Sequence, residues 1–438
     1  MELTRQTDPS AVLHHPVENG NTMRVSTMAG TLIGSEVLRI AGEIRALEAK
    51  GEKICNLTVG DFAPSQFRLP NALEDAIVQA VHSGETNYPP ADGMPAMRKA
   101  VQAFYADRLG LEYPLESIII ASGVRPVLFG SYVTLVNPGD TVVYTLPSWN
   151  NNHYVHLNKA VGVPIACTEE TNFLPTRAML EPVVRNARMV ILNSPLNPSG
   201  TMFDRKTLED ICELVLDENR RTGRRHPLFL VYDQVYWMLT FGDWKHYNPV
   251  ALMPEMRNYT ITLDGISKAF AATGVRVGWA VGPKDVIGTM SNILGHLGAW
   301  APKAEQVATA AFLANDAAIR NYHQSFITGV HQRVNALHDS LKTLRSEGYP
   351  VESITPAGTI YVSARFNIMG KRADGETLRT NDDIRKYLLK YAQFAVVPFQ
   401  AFGVEEDTGW FRLSVGAVSV ADINAGIERV RHALAALA

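Results

Sequence analysis

Apolar residues recur along this chain with two different periods, and the places where the period changes predict its elements. From Gly34 to Gly51 the positions Val37, Leu38, Ile40, Ala41, Ile44 and Leu47 fall at helical spacing, with Gly51 as a C-terminal stop. A second helical stretch runs from Asn71 to Gly84, where Leu73, Ile77, Val78 and Val81 share one face. A third follows Pro95, which is tolerated in a first helical turn because its missing N–H would have no partner there. Residues 1 to about 32 show no such period and read as an irregular arm.

Short apolar runs bounded by Gly, Pro and Asn then take over. Ser117–Ala121, Thr141–Leu146, Gly162–Cys167, Met189–Asn193, Leu228–Tyr232, Tyr259–Leu263 and Val277–Val281 read as buried strands, with helices between several of them, notably Leu208–Arg221. That alternation predicts a mostly parallel seven-stranded sheet covered on both faces. A long helical stretch from about Pro302 to Glu347 follows. Thr359–Phe366, Phe394–Pro398, Trp410–Val415 and a closing helix from Ala421 then suggest a smaller α/β domain. The expected division is 1–60 for an arm and part of the small domain, 61–310 for the large domain and 311–438 for the small C-terminal domain.

Composition narrows the function. The 438 residues carry 41 Lys+Arg against 44 Asp+Glu, a formal net charge of -3, which disfavours a duplex-binding stripe or a membrane-surface patch. Three cysteines (Cys55, Cys167 and Cys212) are widely spaced and lack CxxC pairing, against a disulfide framework or zinc site; no metal is expected. No run reaches the roughly 18 to 20 apolar residues of a membrane span. The longest candidate, Ser117 to Val136, is broken by Arg125 and Pro126. The N-terminus has no signal-peptide core, so a cytoplasmic protein is expected.

Several motifs carry chemistry. In Leu263-Asp264-Gly265-Ile266-Ser267-Lys268 the lysine sits just past a buried strand among small residues, where desolvation lowers an ammonium pKa and favours a Schiff base with a carbonyl. By itself a strand-end lysine is commonly a solvated charge. Arg276 lies eight residues on, placed to reach back as a phosphate fork. Ser122-Gly123-Val124-Arg125 lies between a strand and a helix, where free amides cradle a phosphate; no GxGxxG is present. Asn193-Ser194-Pro195-Leu196-Asn197-Pro198 has the composition of a turn. Asp233 ends a strand, where a buried carboxylate needs a positive partner unless it merely caps a helix. Arg412 falls inside an alternating strand, a place where arginine is often outward and solvated.

Taken together and in their order along the chain, these segments resemble the class I/II pyridoxal-phosphate aminotransferases, the aspartate aminotransferase superfamily, over nearly the whole chain. The resemblance implies a fold-type I α/β architecture, pyridoxal 5'-phosphate as cofactor and a homodimer with shared active sites. It implies that Lys268 holds the cofactor and moves the proton, with Ser267 beside it. Asp233 would keep the pyridine nitrogen protonated, Tyr236 and Asn197 would meet the phenolic oxygen, and Trp149 would stack on the ring. Gly123, Val124 and Arg276 would grip the phosphate, joined by Tyr88 from the neighbouring subunit. Arg412 would bind the substrate α-carboxylate beside Asn197 and Gly60, although the usual acidic-Pro-Asp-Phe continuation after Gly60 is absent. Arg125 stands where some bacterial members carry a lysine that contacts a distal carboxylate; its bland alternative is a surface charge. Trp149 and Tyr88 have bland readings too, as core filler and a turn-flanking aromatic.

The expected activity moves an amino group from an L-amino acid, aspartate or another dicarboxylic or broad donor, to a 2-oxo acid such as 2-oxoglutarate. The alternatives are a lyase or decarboxylase on the same scaffold and an aromatic or aliphatic aminotransferase. A transcriptional regulator would need an added DNA-binding module, and a plain binding protein would not need Lys268, Asp233 and Arg412 together. Gln234, Trp237 and Asn150-Asn151-Asn152 depart from the commoner family residues.

Overall fold

The computed structural model describes residues 25–149, 151–223 and 226–437. Asn150 and most of the expected N-terminal arm lie outside the described residues. Within residues 25–33, a helical turn Thr27–Gly30 is capped by Ser26, whose hydroxyl accepts from the Ala29 amide at 3.2 Å.

Residues 34–438 hold the sheet that the apolar runs predict. Its strands are β1 (Ile118–Ala121), β2 (Thr141–Leu146), β3 (Val161–Ala166), β4 (Met189–Asn193), β5 (Phe229–Asp233), β6 (Thr260–Gly265) and β7 (Gly278–Val281), in the order β1-β7-β6-β5-β4-β2-β3. All neighbours pair parallel except β7, which runs antiparallel to β1 and β6. Successive residues enter different cores: Ile118, Val190 and Leu230 on one face, Ile119, Ile191 and Val231 on the other. Burial of both faces explains why these strands read as unbroken apolar runs rather than as alternating ones. β3 corrects the expectation of seven buried strands, since it is the sheet edge and mostly open to solvent. Its Pro164 needs no ladder donor there.

A four-stranded antiparallel sheet is ordered Val397–Pro398, Trp410–Ser414, Tyr361–Phe366, Val351–Ser353. It shares a core with helices Asp316–Ser346, Asn381–Ala392 and Val420–Ala435. Beside this sheet Cys55–Asn56 pairs in parallel with Phe394–Ala395, and two expectations need correction here. Phe394–Pro398 splits between two sheets. The stretch Pro302–Glu347 is two helices, Lys303–Leu313 and Asp316–Ser346, broken where Asn315 caps the second through the Ala318 amide. Among the described residues no helix is long and apolar enough to cross a membrane.

Candidate active site

β1 runs parallel to β6 because both oppose β7, so the carboxyl ends of β1, β2, β4, β5 and β6 open on one side of the sheet. Open α/β sheets gather ligands at that edge. Lys268 sits in the single turn Ile266–Ala269 that follows β6, with Ser267 buried beside it. Its amine donates to the Gly60 carbonyl at 2.6 Å and lies 5.8 Å from the centre of the Tyr236 ring. Burial lowers its pKa to about 8; the Asp61 carboxylate works against this, and the charges of Arg412, Arg125 and Arg276 work with it. Asp233, at the end of β5, accepts from the Val235 amide at 3.0 Å. Burial raises its pKa to about 6, opposed by that amide and by the charge of Lys268. It therefore turns the chain as well as lining the site, but it caps no helix.

Beyond β1, Gly123 precedes helix Val124–Leu135 with φ of 87° and no side chain capping the helix start. The first amides of that helix are consequently open to an anion. Arg276 reaches the same spot, donating to the Ser122 carbonyl at 2.9 Å and the Thr273 carbonyl at 2.7 Å. A side chain at Gly123 would run into this guanidinium, and one at Gly278 would meet the Gly123 backbone at 2.6 Å. The absence of side chains is what brings amides and guanidinium together.

Arg412 is fully buried in strand Trp410–Ser414. It donates to the Thr58 carbonyl at 2.7 Å and to Asn197 Oδ1 at 3.3 Å, and lies over the rings of Tyr361 at 4.6 Å and Phe402 at 4.8 Å. Among the described residues its Nε has no hydrogen-bond partner and no carboxylate pairs with it. A buried guanidinium without an anion is costly unless a ligand supplies one. The Asn197 amide N–H is fixed by Asn193 Oδ1 at 2.8 Å, so the turn holds the side chain still. Gly60 lies against Tyr361 and Arg412, where an added Cβ would meet the tyrosine hydroxyl at 2.8 Å. Arg125 lies 5.2 Å over the Trp149 ring, which tilts against Phe402 at 6.4 Å. Tyr88 stands apart: it is 82 % exposed and edge-on to Trp300.

Sequence reading missed four residues here. Asp61 accepts from the Thr273 hydroxyl at 2.5 Å, so Thr273, in the loop beyond Lys268, is tied to the Gly60 loop. Tyr361 bonds Tyr236, hydroxyl to hydroxyl, at 2.8 Å, and Phe402 lies beneath Arg412. Asp61 was legible only as the neighbour of Gly60; the rest carried no local signal. The departures at Gln234 and Trp237 gain an account, since both join a buried network around Asp264. Asn151 bonds Tyr132 and Ser148.

An amine of lowered pKa, a carboxylate, an open anion cradle and a buried arginine awaiting a carboxylate form the donor set that pyridoxal phosphate and an amino acid require. Comparison with known proteins agrees. The model of the family "Aminotransferase class I and II" matches residues 52–430. An aspartate aminotransferase of Rhizobium meliloti (strain 1021) is 30% identical over 404 residues, 91% of this chain and 93% of that protein. A crystal structure of the Rhizobium meliloti aspartate aminotransferase superposes with a TM-score of 0.85 at 28% identity, covering 95% of this chain and 100% of that one. The Thermus thermophilus aspartate aminotransferase solved with maleate gives 0.84 at 25% identity, covering 94% and 100%.

Proposed function

The chain belongs to the class I and II aminotransferases, pyridoxal-phosphate enzymes of fold type I, and from that premise we propose that its donor is a dicarboxylic amino acid, aspartate foremost, with a 2-oxo acid such as 2-oxoglutarate as acceptor. The observation that carries this reading is a pair of arginines, one for each carboxylate of such a substrate: Arg412, buried with its Nε unpartnered, and Arg125, exposed over Trp149, whose ring tilts against the Phe402 that lies under Arg412. The neighbour solved with maleate, itself a dicarboxylate, supports it.

Bound in this pocket, pyridoxal phosphate supplies an aldehyde that condenses with amines and a ring that draws electrons from the bonds at the substrate α-carbon. Gly123, Val124 and Arg276 would hold its phosphate, with Ser267 packed close by. Trp149 would cover its ring, and Tyr236 and Asn197 would meet its phenolic oxygen. Asp233 would hold a proton at the ring nitrogen, the role its enclosed carboxylate suits. Arg412 would take the α-carboxylate bidentately near Gly60 and so orient the α-carbon. Lys268 Nζ, its pKa drawn down to about 8 by burial, would act as the base that removes the α-proton.

The enzyme is proposed to work as a cytoplasmic homodimer in which Tyr88 reaches the partner's phosphate site. Exposed Val78, Val81, Tyr88 and Leu297 support such an interface, and three buried free cysteines suit a reducing compartment. The division near residues 61 and 310 is supported by the two sheets, one within 118–281 and the other within 351–414. A panel of amino donors with 2-oxoglutarate, repeated with Arg125→Ala, tests the donor class. Aspartate kcat/KM should fall roughly a hundredfold, and that of an aliphatic donor only a few-fold. Unchanged aspartate turnover in the variant would remove the dicarboxylate argument.

A further inference from the structure

Tyr361 is assigned no part in the reading above, yet it is the hydrogen-bond partner of the Tyr236 hydroxyl among the described residues. The two rings meet edge to face at 5.6 Å and 69°. Tyr361 begins the strand Tyr361–Phe366, which pairs with the strand of Arg412, and the Arg412 guanidinium lies 4.6 Å over its ring. Of two bonded hydroxyls one donates, and the more acidic phenol is the better donor. A cation over the ring stabilises the phenolate, and the charge of Arg412 does pull the Tyr361 phenol downward against its burial. On this argument Tyr361 is the better donor of the pair, an arrangement that would leave the Tyr236 O–H free to donate elsewhere.

We propose that Tyr361 is a positioning residue: it donates to Tyr236 and so keeps the Tyr236 hydroxyl turned outward as a donor to the phenolic oxygen of pyridoxal phosphate. The proposal rests on the reading that Tyr236 meets that oxygen. Gly60 makes room for it, because a Cβ there would meet the Tyr361 hydroxyl at 2.8 Å. A phenol that accepts one hydrogen bond donates the next more strongly. The cofactor's phenolate is then better stabilised, and the visible band of the loaded enzyme changes at a lower pH. The other charged groups facing this pair are Asp233 and Lys268 toward Tyr236, Asp61 toward Tyr361, and Arg412 toward both. None of them is altered by the test.

The test is the pH midpoint of the visible absorbance of the loaded protein in wild type, Tyr361→Phe, Tyr236→Phe and the double variant. Tyr361→Phe should raise the midpoint by roughly 0.3 to 1 pH unit, the worth of one neutral hydrogen bond. In the Tyr236→Phe background the same substitution should shift nothing further. Gly60→Ala, whose Cβ crowds the Tyr361 hydroxyl at 2.8 Å while both phenols keep their chemistry, should shift the midpoint in the same direction, and it serves as the test should Tyr361→Phe fail to fold. An unmoved midpoint in the folded variant, or an equal shift in both backgrounds, overturns the role of Tyr361. A wild-type protein that shows no visible band overturns the cofactor reading itself, a separate failure.

Discussion

Asp233 and Asp264 lie at or near the carboxyl ends of neighbouring strands, the first half-buried and the second buried, both held above the ordinary carboxyl range, yet their surroundings are opposite. Asp264 accepts from the Gly265 amide at 2.7 Å, Trp237 Nε1 at 2.8 Å and the Tyr105 hydroxyl at 3.1 Å. Tyr105 in turn accepts from Trp279 Nε1 at 3.1 Å and Gln234 Nε2 at 3.3 Å, and Gln234 Oε1 accepts from Asn248 at 2.8 Å. Asp233 is given the Val235 amide alone among the described residues, with the charge of Lys268 beyond it. A carboxyl whose lone pairs are filled by the protein has a structural task. One that keeps lone pairs open beside a cation is arranged for a ligand.

The sharpest way to break this contrast is to truncate each acid. Asp233→Ala should lower kcat about a thousandfold, near 4 kcal/mol of transition-state stabilisation, while the melting temperature stays within a few degrees. Asp264→Ala strands three donors in a dry interior and should cost about 2–4 kcal/mol of stability. Its folded fraction should keep kcat within about fivefold. Steady-state kinetics beside urea unfolding decides the matter, and the contrast collapses if both variants fail in the same assay.

Two buried arginines repeat the lesson. Arg385 pairs with Asp382 at 2.8 Å and Glu43 at 3.1 Å, whereas Arg412 meets a carbonyl, an amide oxygen and two aromatic faces. Arg412→Leu should raise the KM for the donor roughly a hundredfold at unchanged or higher stability, because it removes an unpaired buried charge. Arg385→Leu should leave KM alone and cost about 1–2 kcal/mol, since its partners still reach water. A KM effect at Arg385 matching that at Arg412 would mean that pairing with carboxylates does not separate structural from functional arginines.

Much of this was legible in the sequence, for a physical reason. β2 and β4 were read with their observed bounds because both faces are buried and turn residues flank them. β3 misled, since Val-Gly-Val-Pro-Ile-Ala has the composition of a core strand; Pro164 was the overlooked sign of an edge. In the site, Lys268, Asp233, Asn197, Arg276 and Arg412 each sit in a recognisable local motif. Asp61, Thr273, Tyr361 and Asp264 were passed over, even where they sit inside or beside such a motif, because their meaning lies in partners far along the chain. Thr273 meets Asp61 across 212 positions, Tyr361 meets Tyr236 across 125, and Asp264 meets Tyr105 across 159. A local pattern fixes which residue ends a strand; only the closed fold decides whether its lone pairs are taken.

The smallest expected effect follows from that last point. Burial holds Asp264 near a pKa of about 7, against the donors that bond it, while in the unfolded chain it ionises at about 4. Between those values the native protein keeps a proton that the unfolded chain gives up. Stability from this group is therefore whole below about pH 4 and is lost as pH rises through about 7. Asp233, raised to about 6, contributes in the same sense. His246 acts oppositely, because burial pushes it down to about 3 and the unfolded imidazole takes up a proton below about 6.5. Raw pH profiles mix these contributions, so the comparison must be with Asp264→Asn, which keeps the shape and loses the titration. Between pH 6 and pH 7 the wild type should lose on the order of 1 kcal/mol more stability than Asp264→Asn in urea unfolding. Equal losses would mean that the three donors outweigh burial and hold Asp264 as a charge at both pH values. The network would then be a second anion site already filled by the protein's own carboxylate, and the contrast with Asp233 would rest on occupancy alone.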